Sequence, residues 1–503
     1  MDTTATTFSG RLLRRGVLGM GFGLVVLRSQ AAPLEAMGPS LTLGKNTLIG
    51  DRVNALHNPA SGALMRATYT GQRGVLGAVK LSTGAAYGEI DDLFALIDDL
   101  AMRIGRDDGR NGAEPPAGGD SAGGQASADY SNWLPPDFDI NNPETHQAAI
   151  ERLSAQVSAG AALIDFVGTE GYGRVNAGLG LPLLINHDIW GGTMALRLSG
   201  YVQGGAIGIT DPVNFDEQQA TTALEALREL SPSAPATTFD LSAGLMLTVG
   251  PTTQAVTVDW DNDSALLSKS ARTYELAASY SRALSASDSS QWFIGVTPRL
   301  LQIGMSNAAT RIGDVTDAEQ LFNDIVSGER QYRFGATADI GALWVSEQLR
   351  AGVIVKNLYP SEFEYPELDL ATIAREQVVN QLTRSRQYSL DTQGRIEGSW
   401  SSTSSQWQID TALDTNATAD AMGDLHQWWS LSLQYRPNIS WLPAIRAGHH
   451  RNLKGMPLNY GALGATLFNA VELDIGFTLD TVTMQNNDLP RGFNINVGFN
   501  YAI

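Results

Sequence analysis

The chain has 503 residues, of which 43% are hydrophobic and 17% charged, and its formal net charge is −19. The acidic surplus argues against a nucleic-acid partner, because a nucleic-acid surface needs a basic patch that displaces counterions from phosphates. The sequence contains no cysteine, which excludes disulfides, thiolate metal sites and cysteine nucleophiles.

The amino terminus has the pattern of a secretory signal. Arginines between Arg11 and Arg15 precede the apolar run Gly16–Leu27, and Ser29-Gln30-Ala31 fits a small-x-small cleavage site. We predict that residues 1–31 are a signal peptide cleaved after Ala31, with cleavage after Ala32 as the alternative. A short buried helix or an uncleaved anchor is the competing interpretation, but the run is shorter than the ~20 residues of a membrane span.

Helical periodicity is confined to a few segments. The spacing of apolar residues predicts helices at Asp91–Ile104, Glu144–Phe166, Asp216–Leu230 and Asp317–Val326. The segment Asp107–Asp129, rich in Gly, Ala, Pro and Asp, is typical of a flexible loop. No run after Ala32 approaches eighteen consecutive apolar residues, so the mature chain is expected to contain no transmembrane helix.

Alternation of apolar and polar residues dominates the rest of the chain, for example over 239–250, 333–345, 387–400 and 467–480. Successive strand residues point to opposite faces, so each run has one apolar and one polar face. Many runs reach the ~9–11 residues of a tilted membrane strand, whereas soluble strands usually stop at ~5–6. Aromatic residues tend to lie near the ends of the runs, where an interfacial girdle would place them.

We therefore predict an all-β fold, an outer-membrane β-barrel with an amino-terminal helical hatch or plug region. The predicted boundaries are 32–166 for the hatch region with its helices and flexible loop, and 167–503 for the barrel. The expected location is the outer membrane of a Gram-negative bacterium, with outer-membrane lipid as a partner. A periplasmic soluble β-protein is the alternative.

The end of the sequence, FNINVGFNYAI, is predicted to be the strand that closes the barrel against its first strand. Alternation would turn six residues toward lipid: Phe493, Ile495, Val497, Phe499, Tyr501 and Ile503. Asn494, Asn496 and Asn500 would face the lumen.

Several segments resemble a known family in order and character. They are Leu56–Ala60 with its Asn58-Pro59-Ala60 tripeptide, the strand-like run Gly71–Leu81, the acidic helix Asp91–Arg103, Val353–Leu358 and Ile445–Asn452. Together they resemble the outer-membrane barrel proteins called conjugal transfer protein TraF over roughly residues 40–503. They are similar, more distantly, to the long-chain fatty-acid transporter superfamily.

These resemblances carry expectations about fold and role. The second implies a barrel of about 14 antiparallel strands in which Asn58, Pro59 and Ala60 belong to a hatch inside the lumen. The first implies an assembly or envelope component of plasmid conjugal transfer, with conjugation-apparatus proteins as partners. The second implies, alternatively, a passive transporter or channel for small hydrophobic molecules.

Charged residues on the polar faces of the predicted strands would line the lumen: Asp391, Arg395, Glu397, Asp410, Glu472 and Asp474. We expect them to pair with one another structurally in preference to forming a ligand site. A net acidic lumen would disfavour anions.

The sequence offers no motif for catalysis, metal or cofactor. Asp259–Ser264 imitates a calcium loop, but Ser264 replaces the glycine at its sixth position and Ser270 the glutamate at its twelfth, so we interpret it as an acidic turn. His449 and His450 are adjacent and would point to opposite faces of a strand. We expect no enzyme activity, no cofactor and no metal site.

Overall fold

The computed structural model describes residues 40–43, 57–68, 74–88, 133–135, 137–139, 142–169, 171–230, 235–250, 256–286, 289–315, 330–439, 441–455, 458–484 and 487–502. Four predicted features lie outside these residues: the signal peptide, the helices at Asp91–Ile104 and Asp317–Val326, and the loop Asp107–Asp129.

Among the described residues, fourteen antiparallel strands form a closed barrel. In ring order they are β1 (Gly74–Tyr87), β2 (Tyr172–Ile189), β3 (Gly192–Ile209), β7 (Ala265–Ala286), β8 (Ser290–Arg311), β9 (Gln331–Ser346), β10 (Leu349–Lys356), β13 (Gln393–Ser401), β14 (Trp407–Asp414), β17 (Trp428–Tyr435), β18 (Ala444–Asn452), β19 (Asn459–Leu467), β20 (Val471–Thr478) and β23 (Gly492–Ala502). The predicted fold class and approximate strand number are confirmed.

The other elements lie between these strands or before them. The helices are α1 (Ser40–Leu43), α2 (Ser61–Thr68), α3 (Pro143–Thr169), α4 (Glu217–Leu227) and α5 (Glu376–Arg384). A three-stranded sheet contains β4 (Thr237–Ser242), β5 (Leu245–Val249) and β6 (Val256–Trp260). Three small hairpins pair β11 (Ser361–Glu364) with β12 (Gln387–Leu390), β15 (Thr418–Ala419) with β16 (Leu425–His426), and β21 (Thr481–Met484) with β22 (Asn487–Pro490).

The ring closes between β1 and β23, where Leu76 is opposite Ala502 and Ala86 is opposite Gly492. Along β23 the predicted alternation is observed. Ile495 is 41% exposed on the outer face, whereas Asn496 is 1% exposed on the inner face. The chain therefore closes its wall with the strand predicted for that role, and Ile503 lies outside the described residues.

The two ends of the barrel differ. At one end neighbouring strands are joined by short turns, such as Trp190-Gly191 between β2 and β3, and both residues have positive φ angles. At the other end lie the long connections, including the one of more than fifty residues between β3 and β7. Bacterial outer-membrane barrels have short periplasmic turns and longer extracellular loops, so the long-loop end is the outer one.

The outer face of the wall is an apolar belt. Large side chains on neighbouring strands are exposed there, among them Leu300 (60%), Ile475 (57%) and Leu463 (60%). Aromatic side chains gather at the short turns, including Trp190 (85% exposed) and Trp441 (69%). This distribution matches a lipid-facing surface with an interfacial girdle, as the sequence predicted. None of the described helices is both long and apolar enough to cross a bilayer.

A separate core lies at the long-loop end, formed by α3, α4 and the β4–β6 sheet, which we call the long-loop module. Trp133 packs edge-on against Trp260 at a centroid separation of 5.8 Å. The predicted domain boundary at residue 167 differs from this arrangement in two ways. β1, within the predicted hatch region, is a wall strand, and α3 packs with α4, which follows β3 in the chain.

Candidate functional site

The Asn58-Pro59-Ala60 turn lies inside the barrel against two glycines of the wall. Gly295 of β8 and Gly341 of β9 are direct cross-strand partners. A Cβ atom at Gly295 would lie 2.0 Å from the Pro59 carbonyl oxygen, and one at Gly341 would lie 2.1 Å from Asn58 Oδ1. Only a residue without a side chain allows the turn to approach this closely.

Hydrogen bonds fix the turn from both sides. Asn58 is 1% exposed, and its Nδ2 donates to Glu397 Oε1 of β13 at 3.0 Å. Its Oδ1 accepts from Ala60 N at 3.0 Å, and its carbonyl accepts from Ser61 Oγ at 2.6 Å. The asparagine thus shapes its own turn and ties it to the wall.

Helix α2 continues from this turn toward the short-turn end. Ala63 N donates to Ser281 Oγ of β7 at 2.8 Å, and Met65 packs against Leu184. The Arg66 guanidinium pairs with Asp188 at 2.7 Å. Residues 57–68 are therefore attached to the wall along their whole length.

Helix α1 is bound on another part of the inner wall. Thr42 Oγ1 donates to Asp474 Oδ1 of β20 at 2.6 Å and accepts from Arg446 Nε of β18 at 3.1 Å. The His450 Nε2 atom lies 2.6 Å from the Leu41 carbonyl oxygen. We call residues 40–43 and 57–68 together the plug.

Five of the six charged residues predicted for the lumen are buried on the inner face of the wall: Arg395, Glu397, Asp410, Glu472 and Asp474. Glu397 and Asp474 contact the plug, as described above. The Arg395 Nε atom donates to Asp414 Oδ1 at 2.7 Å, and Asp410 Oδ1 accepts from Gln408 Nε2 at 2.9 Å. Each of these carboxylates has a protein partner.

Asp391 is placed differently. The run 387–400 is divided into β12 and β13, and Asp391 lies exposed in the connection between them. Its carboxylate accepts from Ser389 Oγ at 2.6 Å. The parity argument does not apply to Asp391, because the chain leaves one sheet and enters another at this point.

A buried ion pair marks the seam of the barrel. Lys80 of β1 pairs with Glu472 of β20, and the two side chains are 0% and 2% exposed. Asn500 Nδ2 of β23 donates to the second carboxylate oxygen of Glu472 at 2.7 Å. Since the three residues come from three adjacent strands, the pair fastens the closing strand from inside.

Sequence reasoning missed a charged layer on the opposite wall. Glu275 of β7 accepts from Arg197 Nη2 at 2.6 Å and from Arg299 Nη1 at 2.9 Å. The Arg299 Nε atom lies 3.3 Å from Asp339 Oδ2. The signal was present, because each of these residues occupies the polar parity of a recognised or neighbouring strand.

Two hairpins of the long-loop end, β11–β12 and β15–β16, reach across the mouth, and we call them the mouth hairpins. The second connects β14 to β17 yet contacts strands half-way around the ring. Asp420 Oδ2 accepts from Gln203 Nε2 of β3 at 3.2 Å and lies 3.8 Å from Arg174 Nη1 of β2. Lys269 of β7 donates to the carbonyl oxygen of Ser385, which follows α5.

The mouth hairpins share an apolar cluster with the wall. Phe363, Tyr365 and Met422 pack against the wall residues Ile303 and Met305. Tyr365 Oη donates to the Ala421 carbonyl oxygen at 2.7 Å, which joins the two hairpins. Burial of this hydroxyl raises its pKa well above the usual value, so it remains a donor at physiological pH.

One group of side chains has the composition of a metal site. Asp420, Asp424 and His426 each place a ligand atom within 4.8 Å of the others. However, the Arg174 guanidinium pairs with both carboxylates and supplies the positive charge that a metal ion would bring. The group is therefore an ion-pair cluster that holds the hairpin.

The acidic turn Asp259–Ser264 connects β6 to β7 and joins three parts of the long-loop end. Asp263 Oδ2 accepts from the backbone nitrogens of Ala374 and Arg375, each at 2.7 Å, where α5 begins. Its Oδ1 lies 3.2 Å from Arg311 Nε. Asp211 Oδ2 accepts from Asp263 N at 3.1 Å, and burial raises the pKa of Asp211.

The chain is similar to the TodX deltaS2S3 mutant monoaromatic hydrocarbon channel at 8% identity, with 93% of this chain and 99% of the other covered and a TM-score of 0.39. It is similar to a Pseudomonas aeruginosa FadL homologue at 10% identity, with 94% of this chain and 99% of the other covered and a TM-score of 0.42. It is similar to an engineered Rh. blastica porin at 7% identity, with 85% of this chain and 99% of the other covered and a TM-score of 0.24. No curated protein sequence matches the chain.

The family comparison is more specific. A family model described as F plasmid transfer operon, TraF, protein matches residues 55–414, from just before the plug turn to the end of β14. The match covers well over half of the chain and includes the glycine pair and the plug turn that it receives. The chain therefore belongs to the family of F plasmid transfer operon TraF proteins.

Proposed function

We propose that this protein is a plugged outer-membrane barrel that serves plasmid conjugal transfer as an assembly or envelope component. Family membership supports the link to transfer. The proposed partners are other proteins of the conjugation apparatus, and the long-loop module is the part of the chain best placed to meet partners outside the cell.

The occupation of the lumen carries this proposal. Its three levels are the plug turn at the glycine pair, the charged layer around Glu275 and Arg299, and the mouth hairpins held by Asp420. A channel that passes solutes at all times would need a continuous path. The plug turn lies inside the barrel and the mouth hairpins lie over its mouth, whereas the charged layer adds fixed ion pairs to the inner wall between them. The arrangement suits a protein whose wall and loops are its working surfaces.

A mating assay tests the role. Deleting the gene from a donor strain should reduce mating, and wild-type protein supplied in trans should restore it, with unchanged permeability of the outer membrane to small hydrophobic dyes. Normal mating in the deletion strain would contradict the proposal. Heat-modifiable mobility on a detergent gel provides the accompanying check that the protein is a folded barrel.

A second candidate is passive transport of small hydrophobic molecules, and the apolar cluster at the mouth favours it. If the mouth hairpins part, Ile303 and Met305 would present an apolar entrance on the inner wall. The buried ion pairs of Arg299 below that entrance argue against it, because an apolar solute cannot replace their hydrogen bonds. Uptake of a hydrophobic solute into liposomes that contain the purified barrel would favour transport over the assembly role.

A further inference from the structure

The outer wall contains a groove of about 770 Å³ that spans five adjacent strands, from β2 to β9. Two neighbouring register rows line it. One row contains Tyr274, Gln302 and Phe334, and the next contains Leu198, Leu276 and Leu300. Phe334 is 79% exposed and Leu300 60% exposed, so the groove opens outward into the apolar belt.

The row directly above this groove, toward the long-loop end, is basic. Arg272 of β7 is opposite Gly304 of β8, which is opposite Tyr332 of β9. Arg272 has the same parity as Tyr274 and therefore lies on the outer face. Among the described residues, its buried Nε atom has no hydrogen-bond partner.

A second arginine lies beside the first. Arg330 immediately precedes β9, and its Nη2 donates to Ser270 Oγ of β7 at 3.3 Å. Partial burial and the neighbouring charge of Arg272 both lower the pKa of Arg330. Two guanidinium groups therefore lie side by side on the outer face of the wall, and the Nε atom of Arg272 is available for a further hydrogen bond.

The height of this pair on the wall can be worked out along β8. Trp292 lies at the short-turn end, and Gly304, in the row of Arg272, is twelve residues farther on. At ~3.3 Å per residue and a tilt of ~40°, the two rows are about 30 Å apart along the membrane normal. The apolar band of such barrels is ~25 Å tall, so the arginines lie just above it, at the level of the outer-leaflet headgroups.

We propose that this groove and the arginine pair above it form one binding site for a phosphorylated lipid of the outer leaflet, with lipid A of lipopolysaccharide as the occupant. Acyl chains would lie along Leu276, Leu300 and Phe334, and a headgroup phosphate would accept hydrogen bonds from Arg272 and Arg330. Guanidinium groups recognise phosphate with paired, charge-assisted hydrogen bonds. The site depends on the membrane location alone and is independent of the role in conjugal transfer.

The test uses the full-length barrel in phosphatidylcholine nanodiscs with lipid A as the probe, and native mass spectrometry measures retention. The Arg272→Gln/Arg330→Gln variant should retain lipid A at least roughly tenfold less than wild type, the effect of losing a charge-assisted bond. The matched control is Arg282→Gln, an exposed arginine on the same strand and outer face near the short-turn end. It should retain lipid A like wild type.

Two further measurements use the wild-type protein with dephosphorylated lipid A and with inorganic phosphate. Their results remain informative even if the double variant does not insert into the membrane. Dephosphorylated lipid A should be retained poorly, and inorganic phosphate at millimolar concentration should not displace the intact lipid. Equal retention by the double variant, or equal retention of dephosphorylated lipid, would overturn the proposal. Displacement by inorganic phosphate would also overturn it, because an ion site would then explain the arginines.

Discussion

Replacing Gly295 by valine should release the plug turn without unfolding the barrel. The Cβ atom would lie 2.0 Å from the Pro59 carbonyl oxygen, whereas ordinary contacts begin at 3.4 Å, so the turn must retreat by about 1.4 Å. Overpacking of this kind costs about 1–3 kcal/mol, which raises the population of the displaced plug roughly 5- to 150-fold. The cross-strand partner of Gly295 on β9 is Gly341, which has no side chain that the new valine could meet.

Trypsin measures the release, because Arg66 lies within the plug and its guanidinium is engaged by Asp188. In the folded wild-type barrel, cleavage after Arg66 should be slow. In the Gly295→Val variant, cleavage should be faster by the factor by which the displaced plug gains population, roughly 5- to 150-fold. The control is Gly398→Val on β13, where a Cβ atom would have its nearest neighbour at 3.9 Å. Equal cleavage rates in the two variants, with heat-modifiable mobility retained in both, would refute the steric argument.

Three further predictions concern the long-loop end and the lipid face. Asp263→Asn should destabilise α5 by about 1.5–3 kcal/mol in hydrogen exchange, because it weakens the charged cap of that helix. The control is Asp314→Asn. Asp314 also pairs with Arg311 but is more exposed than Asp263, so its replacement should change the stability of α5 little. Equal effects of the two substitutions would contradict the capping role of Asp263. Ile495→Lys should lower barrel stability in urea unfolding by about 2–4 kcal/mol, since it places a charge against lipid. The control is Leu489→Lys, in a hairpin outside the wall. Leu489 is 40% exposed and Ile495 is 41% exposed, yet the Leu489 substitution should lower the stability far less. Equal losses of stability would disprove the lipid-facing orientation of Ile495. Burial raises the pKa of Asp211, so its contribution to stability is present below its unfolded pKa of ~3.9 and is lost as the pH rises through the folded value. Asp211→Asn should therefore flatten the decline of long-loop stability with rising pH, and an unchanged slope in pH-dependent unfolding would exclude this carboxyl as its source.

The barrel could be predicted from the sequence because alternation is a local signal that repeats along the chain. It gave the faces of β23 and of β20, where Glu472 and Asp474 point inward and Ile475 points outward. The Asn58 turn was recognised by resemblance, but its receptor was not, since Gly295 and Gly341 are far from it in sequence and carry no side chain to signal contact.

The alternation of apolar and polar residues did not predict the strands correctly where a turn kept the apolar residues in step. Over 239–250 the apolar residues continue in step through a two-residue turn at Ala243-Gly244, where both φ angles are positive. The run is therefore two strands of the long-loop module rather than one wall strand. The same local signal cannot distinguish the sheets to which successive strands belong. For that reason Asp391 was predicted to face the lumen, although it lies in a connection between two sheets.

The plug has a consequence for the order of assembly. Its two segments precede β1 in the chain, and β1 meets β23 only after every other wall strand has been synthesised. This pair has the widest separation in sequence of any in the wall, and contacts between distant segments form slowly, so we expect it to close last. Until that moment the wall has an open side through which the plug can be laid sideways against Gly295 and Gly341. After closure, the same segment could enter only by threading through an end.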